Sequence, residues 1–154
     1  TGNKESEEIR EKRKGDALME NRMYVNAIRV YQKLLEKDSR EISREMRERI
    51  LHNQGCAYSY LFQMDKALDC FFAAWKVNQS EKALKIYLLA YRSVHTPEEF
   101  EKIQEDLKAE DSVKKETARA LEQFISLPEQ KIGPGETDRI LEDLTREYHR
   151  STGS

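Results

Sequence analysis

Six residues whose types could bind a ligand stand close together in the sequence: Arg49, His52, Asn53, Cys56, Ser59 and Tyr60. Their spacing of three, one, three, three and one puts them on one face of a helix, and they are poor choices for a core. A cation and amide donors beside an aromatic ring suit an extended acidic peptide or a carboxylate, which Arg grips through two parallel bonds. The competing reading is an ordinary solvated helix face. His52 and Cys56, at i and i+4, also make half of a zinc site. Cys70 is the only other cysteine, a structural site wants four ligands, and so no metal or cofactor is expected. The same pair has the spacing of a nucleophile and its base, without an orienting third group or an oxyanion site. An enzyme is not expected. Gly133-Pro134-Gly135 lacks the Lys-Ser/Thr that would follow in a phosphate-binding loop, and reads as a turn.

The elements that must position these residues are helical. The 154 residues suit one domain, and 27 Lys+Arg against 29 Asp+Glu leave a net charge of −2. With 6 Gly and 3 Pro there are too few turns for a sandwich or barrel, and apolar residues recur every three or four positions almost throughout. The fold class expected is all-α. Interleaved charge signs exclude a nucleic-acid footprint. No apolar run approaches the roughly 18–20 residues of a membrane span, and the polar stretch Thr1 to Arg13 has no apolar leader segment. Two cysteines are no disulfide framework, which points to a reducing cytoplasm. The patterns predict helices over about 6–21, 25–36, 40–62, 64–77 and 81–94. Asp38-Ser39 would cap the third and Ser80 the fifth. Thr96-Pro97-Glu98-Glu99 then opens another helix, with a capping Thr, a Pro at the first position and a Glu at the third. It runs on towards Pro128, whole or broken near Asp111-Ser112, and a last helix covers about 137–149.

Aligning Gly15 with Gly55 reveals a repeat. Leu18, Ala27, Tyr31 and Leu34 fall in step with Tyr58, Ala67, Phe71 and Ala74, at an offset of 40 residues. Each unit reads as two helices joined by a tight turn, Asn21-Arg22-Met23 in one and Gln63-Met64-Asp65 in the other. Small residues sit where the two backbones approach, and large ones fill the space beside them. Gly55-x-x-Tyr58 followed by Ala67, Phe71 and Ala74 resembles the tetratricopeptide repeat family. The first unit departs from the pattern at Glu11 and Lys14, where bulky apolar residues are usual. The family repeat is about 34 residues, and the extra six fit an elongated start to the third helix.

The resemblance implies a right-handed superhelix of hairpins at about 8–37 and 40–78, with a degenerate third at 80–107, within a domain spanning 8–107. A C-terminal helical extension, 108–154, would follow. It also implies a non-catalytic adaptor or assembly scaffold that binds a protein or peptide in a concave groove lined by the first helix of each hairpin. The groove residues expected are Lys12 and Arg13 at the rim, Arg49, His52, Asn53 and Tyr60 as contacts, and Tyr87 from the third hairpin. One subgroup of the family grips a terminal carboxylate with a clamp. Lys12 and Asn53 match two of its positions, but Asp16 stands where an Asn belongs, and its carboxylate would repel the ligand. The alternative function is a homo-oligomerisation module built from the helices after Pro97.

Overall fold

The computed structural model describes residues 6–38 and 40–109, which form six α-helices and, among the described residues, no strand. The chain divides into two compact units between Asn78 and Gln79. None of the described helices is long and apolar enough to cross a membrane. The extension beyond residue 109, with its expected helix over 137–149 and the Gly133-Pro134-Gly135 turn, lies outside the described residues.

The first unit holds four helices. In α1 (Glu7–Glu20) the Ser6 hydroxyl accepts the Ile9 amide at 3.2 Å, and Glu7 and Glu8 sit at the positive end of the helix. After α2 (Tyr24–Leu35) the chain makes a connector and enters α3 (Arg44–Tyr60). That start lies four residues later than the expected one at Arg40. Asp38 spends its side chain on the Arg40 amide and its carbonyl on Glu41 and Ile42, which closes a turn. Ser43 is the cap, accepting the Met46 amide at 3.1 Å, while Ile42 is buried. The residues between α2 and α3 thus form a connector rather than an elongated start to α3. Arg47 closes it from above, donating to the Leu35 and Lys37 carbonyls at 3.1 and 2.7 Å where α2 runs out of partners. Finally α4 (Met64–Asn78) returns along α3.

The two hairpins share their geometry at the same 40-residue offset. In the first, the Arg22 amide donates to the Met19 carbonyl and the Met23 amide to Leu18. In the second, Phe62 donates to Ser59 and Gln63 to Tyr58. Both are the paired bonds that close a helix through one left-handed residue, here Arg22 (φ 60°) and Phe62 (φ 61°). The second turn is therefore Leu61-Phe62-Gln63, and Met64 and Asp65 already belong to α4. Neither turn carries the usual glycine, so the sequence offered no marker for it. Below the turns, a Cβ on Gly15 would lie 2.6 Å from Tyr31 Cε1, and one on Gly55 2.6 Å from Phe71 Cε1. Around the first contact, Ala27, Tyr31, Leu34 and Ile50 form a buried cluster with Leu18 and Met46 packed against it.

The second unit begins with α5 (Glu81–Val94), capped by the Ser80 hydroxyl on the Ala83 amide as expected. It continues with α6 (Pro97–Ala109). Thr96 and Glu99 form a reciprocal capping box: Glu99 N–H donates to Thr96 Oγ1, and Thr96 N–H to Glu99 Oε1, both at 3.2 Å. The Thr96 amide, and then the Thr96 hydroxyl that donates to the same oxygen at 3.0 Å, hold the Glu99 carboxyl below its usual range. Leu107 is buried, and the Arg92 guanidinium of α5 lies over the Phe100 ring of α6.

The close approach at the glycines gives a signed prediction. On helix propensity alone, Gly55→Ala would stabilise α3 by roughly 1 kcal/mol. The buried Phe71 ring cannot move aside without disturbing the hairpin, so overpacking should win. We expect Gly55→Ala to lower stability by about 1–3 kcal/mol in urea unfolding. A gain in stability would mean that the ring does not lie where it is placed.

Candidate functional site

The best-defined polar constellation is built around Asp16. Lys12 and Asp16 are one turn apart on α1, and Lys12 Nζ donates to Asp16 Oδ2 at 2.7 Å. Gly15 beside them lets the Tyr31 ring of α2 reach in, and the Tyr31 hydroxyl donates to Asp16 Oδ1 at 2.5 Å. From α3, Asn53 Nδ2 donates to the same oxygen at 3.1 Å. Three helices therefore send one donor each to a single carboxylate. Lys12, Tyr31 and Asn53 are buried, and the Asp16 side chain keeps 33% of its exposure. Burial, and then the negative charge of Asp16, push the Tyr31 hydroxyl far above its ordinary pKa. The phenol stays protonated and remains a donor across the physiological range.

The second hairpin places different residues at the same four-residue interval. His52, Cys56 and Phe71 occupy the positions of Lys12, Asp16 and Tyr31, shifted by 40. His52 Nε2 lies 3.5 Å from Cys56 Sγ, and its ring is tilted against Phe71 at 5.7 Å between centroids. This version is softer and less polar, with His52 2% and Cys56 5% exposed. The pair with the spacing of a nucleophile and its base is thus enclosed in packing. Among the described residues, no three His, Cys, Asp or Glu side chains gather into a metal-binding group.

The residues singled out in the sequence separate into four groups. Lys12 and Asn53 come together, but through Asp16, to which each gives one donor within the chain. His52 joins the buried hairpin packing. Arg13 is exposed on α1, Arg49 is half-buried on α3 one turn before Asn53, and Tyr60 is 38% exposed and stacked on Tyr24 at 4.8 Å. Tyr87 belongs to the second unit, where it is buried and tilted against Tyr91. The role of Tyr31 was missed because its ring alone accounts for its place in the repeat. A signal was present all the same. Between the hairpins, Asp gives way to Cys where Tyr gives way to Phe, so the carboxylate and the hydroxyl that serves it change together.

A separate cleft of about 390 Å³ lies between α2, α3 and α4, lined by Gln32, Glu36, Gln54, Tyr58, Lys66 and Cys70 among others. The Cys70 thiol donates to Gln54 Oε1 at 3.5 Å. Burial, and then the charge of Asp69, push the thiol up to about 12, which favours its protonated form at neutral pH.

Compared with known proteins, the chain matches no family model, no curated protein and no solved structure.

The Tyr31 hydroxyl is separable from its ring, since Phe71 packs in the same way without one. Tyr31→Phe removes one charge-assisted hydrogen bond and leaves Asp16 two donors. The expected cost is about 1–2 kcal/mol in chemical unfolding, with an unchanged helical circular dichroism spectrum.

Proposed function

We propose that this chain is a non-catalytic protein- or peptide-binding module, an adaptor or scaffold built on tetratricopeptide-like hairpins. The observation that carries the reading is the duplicated hairpin. The glycine-to-ring approach, the left-handed turn residue and the turn hydrogen bonds all recur at one offset in α1–α2 and α3–α4. A stack of such hairpins presents its first helices side by side, and the bond from Asn53 on α3 to Asp16 on α1 ties the two together. The non-catalytic reading is supported by the enclosure of His52 and Cys56 and by the high pKa of Cys70. The two thiols are free, which suits a reducing cytoplasm.

The ligand is a protein segment, and acidic groups on it fit Arg13 and Arg49. Both cations lie on first helices, and Tyr60 adds an aromatic surface at the turn end of α3. Lys12 and Asn53 contribute by holding the helices in register rather than by touching the ligand. Interfaces of this kind draw most of their affinity from a few Arg and aromatic anchors.

A peptide library displayed on phage and selected against the intact chain tests this directly. Selected peptides should be enriched in Asp and Glu, and Arg13→Glu with Arg49→Glu should weaken them at least tenfold. Because Arg49 is half-buried, an unchanged helical circular dichroism spectrum and urea midpoint of the double variant are required before weaker binding counts as lost contact. Peptides that bind the double variant equally well would overturn the proposed contact residues. Enrichment of no sequence at all would count against the binding function itself.

A further inference from the structure

The cleft between α2, α3 and α4 has a built floor and charged walls. On the floor, Gln54 is buried, and its carbonyl oxygen accepts the Cys70 thiol at 3.5 Å. One turn further along α3, the Tyr58 ring carries the Lys66 ammonium over it at 5.7 Å. Glu36 on the α2 side and Asp69 on α4 are exposed at the two walls. The hairpin repeat does not require this polarity. Forty positions on from the α2 wall, Gln32 and Leu35 give way to Phe72 and Trp75, whose rings meet at 5.7 Å, and Lys76 lies over Phe72. Forty positions back from the α4 wall, Asp69 and Cys70 are Arg29 and Val30. The corresponding face of α4 is packed with rings, whereas beside α2 a space of about 390 Å³ stays open. Small-molecule sites occupy roughly 300–1,000 Å³.

The charges around the cleft decide what fits it. Two carboxylates and one ammonium line it, so its complement is a small molecule with two cationic groups and one carboxylate. A free basic amino acid has that set, in its α-ammonium, its side-chain cation and its carboxylate. We infer that this cleft binds a free basic amino acid, with Glu36 and Asp69 receiving the two cations and Lys66 the carboxylate. Below them, the Gln54 amide and the Tyr58 hydroxyl supply neutral hydrogen-bonding groups to orient the ligand. A neutral amino acid leaves one carboxylate of the cleft without a partner. An acidic one sets a carboxylate against Glu36 or Asp69. A basic residue at the C-terminus of a peptide has the carboxylate and the side-chain cation but lacks the α-ammonium. The cleft involves neither Arg13 nor Arg49, so the inference goes beyond the protein-binding function proposed above and does not rest on it.

Isothermal titration calorimetry on the full chain, at pH 7 and constant ionic strength, tests this with L-arginine and L-lysine. At least one should bind at a single site with a Kd below about 1 mM. L-Norleucine and L-glutamate should bind at least tenfold more weakly. Lys66→Met should lower the affinity for the amino acid to that for its decarboxylated amine, agmatine or cadaverine, and leave the binding of the amine unchanged. Glu36→Gln combined with Asp69→Asn should weaken the amino acid and the amine alike, at least tenfold. All three side chains are exposed, and each variant should keep the helical circular dichroism spectrum of the native chain. Nα-acetyl-L-arginine, or Nα-acetyl-L-lysine, distinguishes a free amino acid from a peptide terminus and should bind at least tenfold more weakly. Equal binding of the acetylated form would overturn the assignment to a free amino acid. Saturable binding of neither L-arginine nor L-lysine would overturn the inference outright, as would unchanged affinity in both variants. No arm of this experiment involves an acidic peptide, so its outcome is separate from that of the phage selection.

Discussion

The first unit depends on one carboxylate. Asp16 receives donors from α1, α2 and α3, and α1 fully buries only Lys12 and Gly15, with Leu18 and Met19 half-buried against the Ala27, Tyr31, Leu34 and Ile50 cluster. A helix with a thin apolar face is usually the first element to fray. Here it is secured by a close approach, glycine against a tyrosine ring, and by a charged network next to it. The network is fully stabilising only while every member is satisfied. Taking away Asp16 leaves Lys12, Tyr31 and Asn53 buried without their shared acceptor, and that penalty exceeds the net value of any single bond.

The second hairpin solves the same packing problem without charge. Gly55 meets Phe71 as Gly15 meets Tyr31, and both hairpins close on a left-handed residue. Yet His52 and Cys56 stand in place of Lys12 and Asp16. The conserved spacing is steric and the variable part is electrostatic. Phe62 sharpens the contrast. It is 84% exposed and holds a left-handed conformation that costs a non-glycine residue roughly 1–2 kcal/mol, with little packing in return. The hairpin nevertheless needs a reversal at that point, and the bonds from Phe62 and Gln63 to the end of α3 provide it.

Helix positions were legible wherever a local chemical signal marked them. Ser80 and the Thr96-Pro97-Glu98-Glu99 box opened α5 and α6 where the sequence placed them, because capping satisfies backbone donors within four residues. The start of α3 was misplaced since Asp38-Ser39 and Ser43 both carry cap chemistry, and only tertiary context decides between them: Ile42 goes into the core and Arg47 reaches back to α2. The second turn was displaced because Phe62 gives no glycine signal. At the candidate site, Lys12 and Asn53 were visible as donors. Their common acceptor was read as an obstacle to a ligand rather than as their partner, because the reach of Tyr31 and Asn53 across helices is not a property of spacing along the chain. His52, Asn53 and Cys56 share a face as the spacing implied, and that face is buried.

The most direct measurement of this account is a double-mutant cycle between Asp16 and Asn53, using Asp16→Ala, Asn53→Ala and the combined variant in urea unfolding. The two residues are 37 positions apart in sequence and on different hairpins. The structure predicts a coupling of about 1–3 kcal/mol between them. Additive effects, with coupling below about 0.3 kcal/mol, would mean that the two hairpins are not joined through this carboxylate, and would contradict the arrangement of the first unit described above.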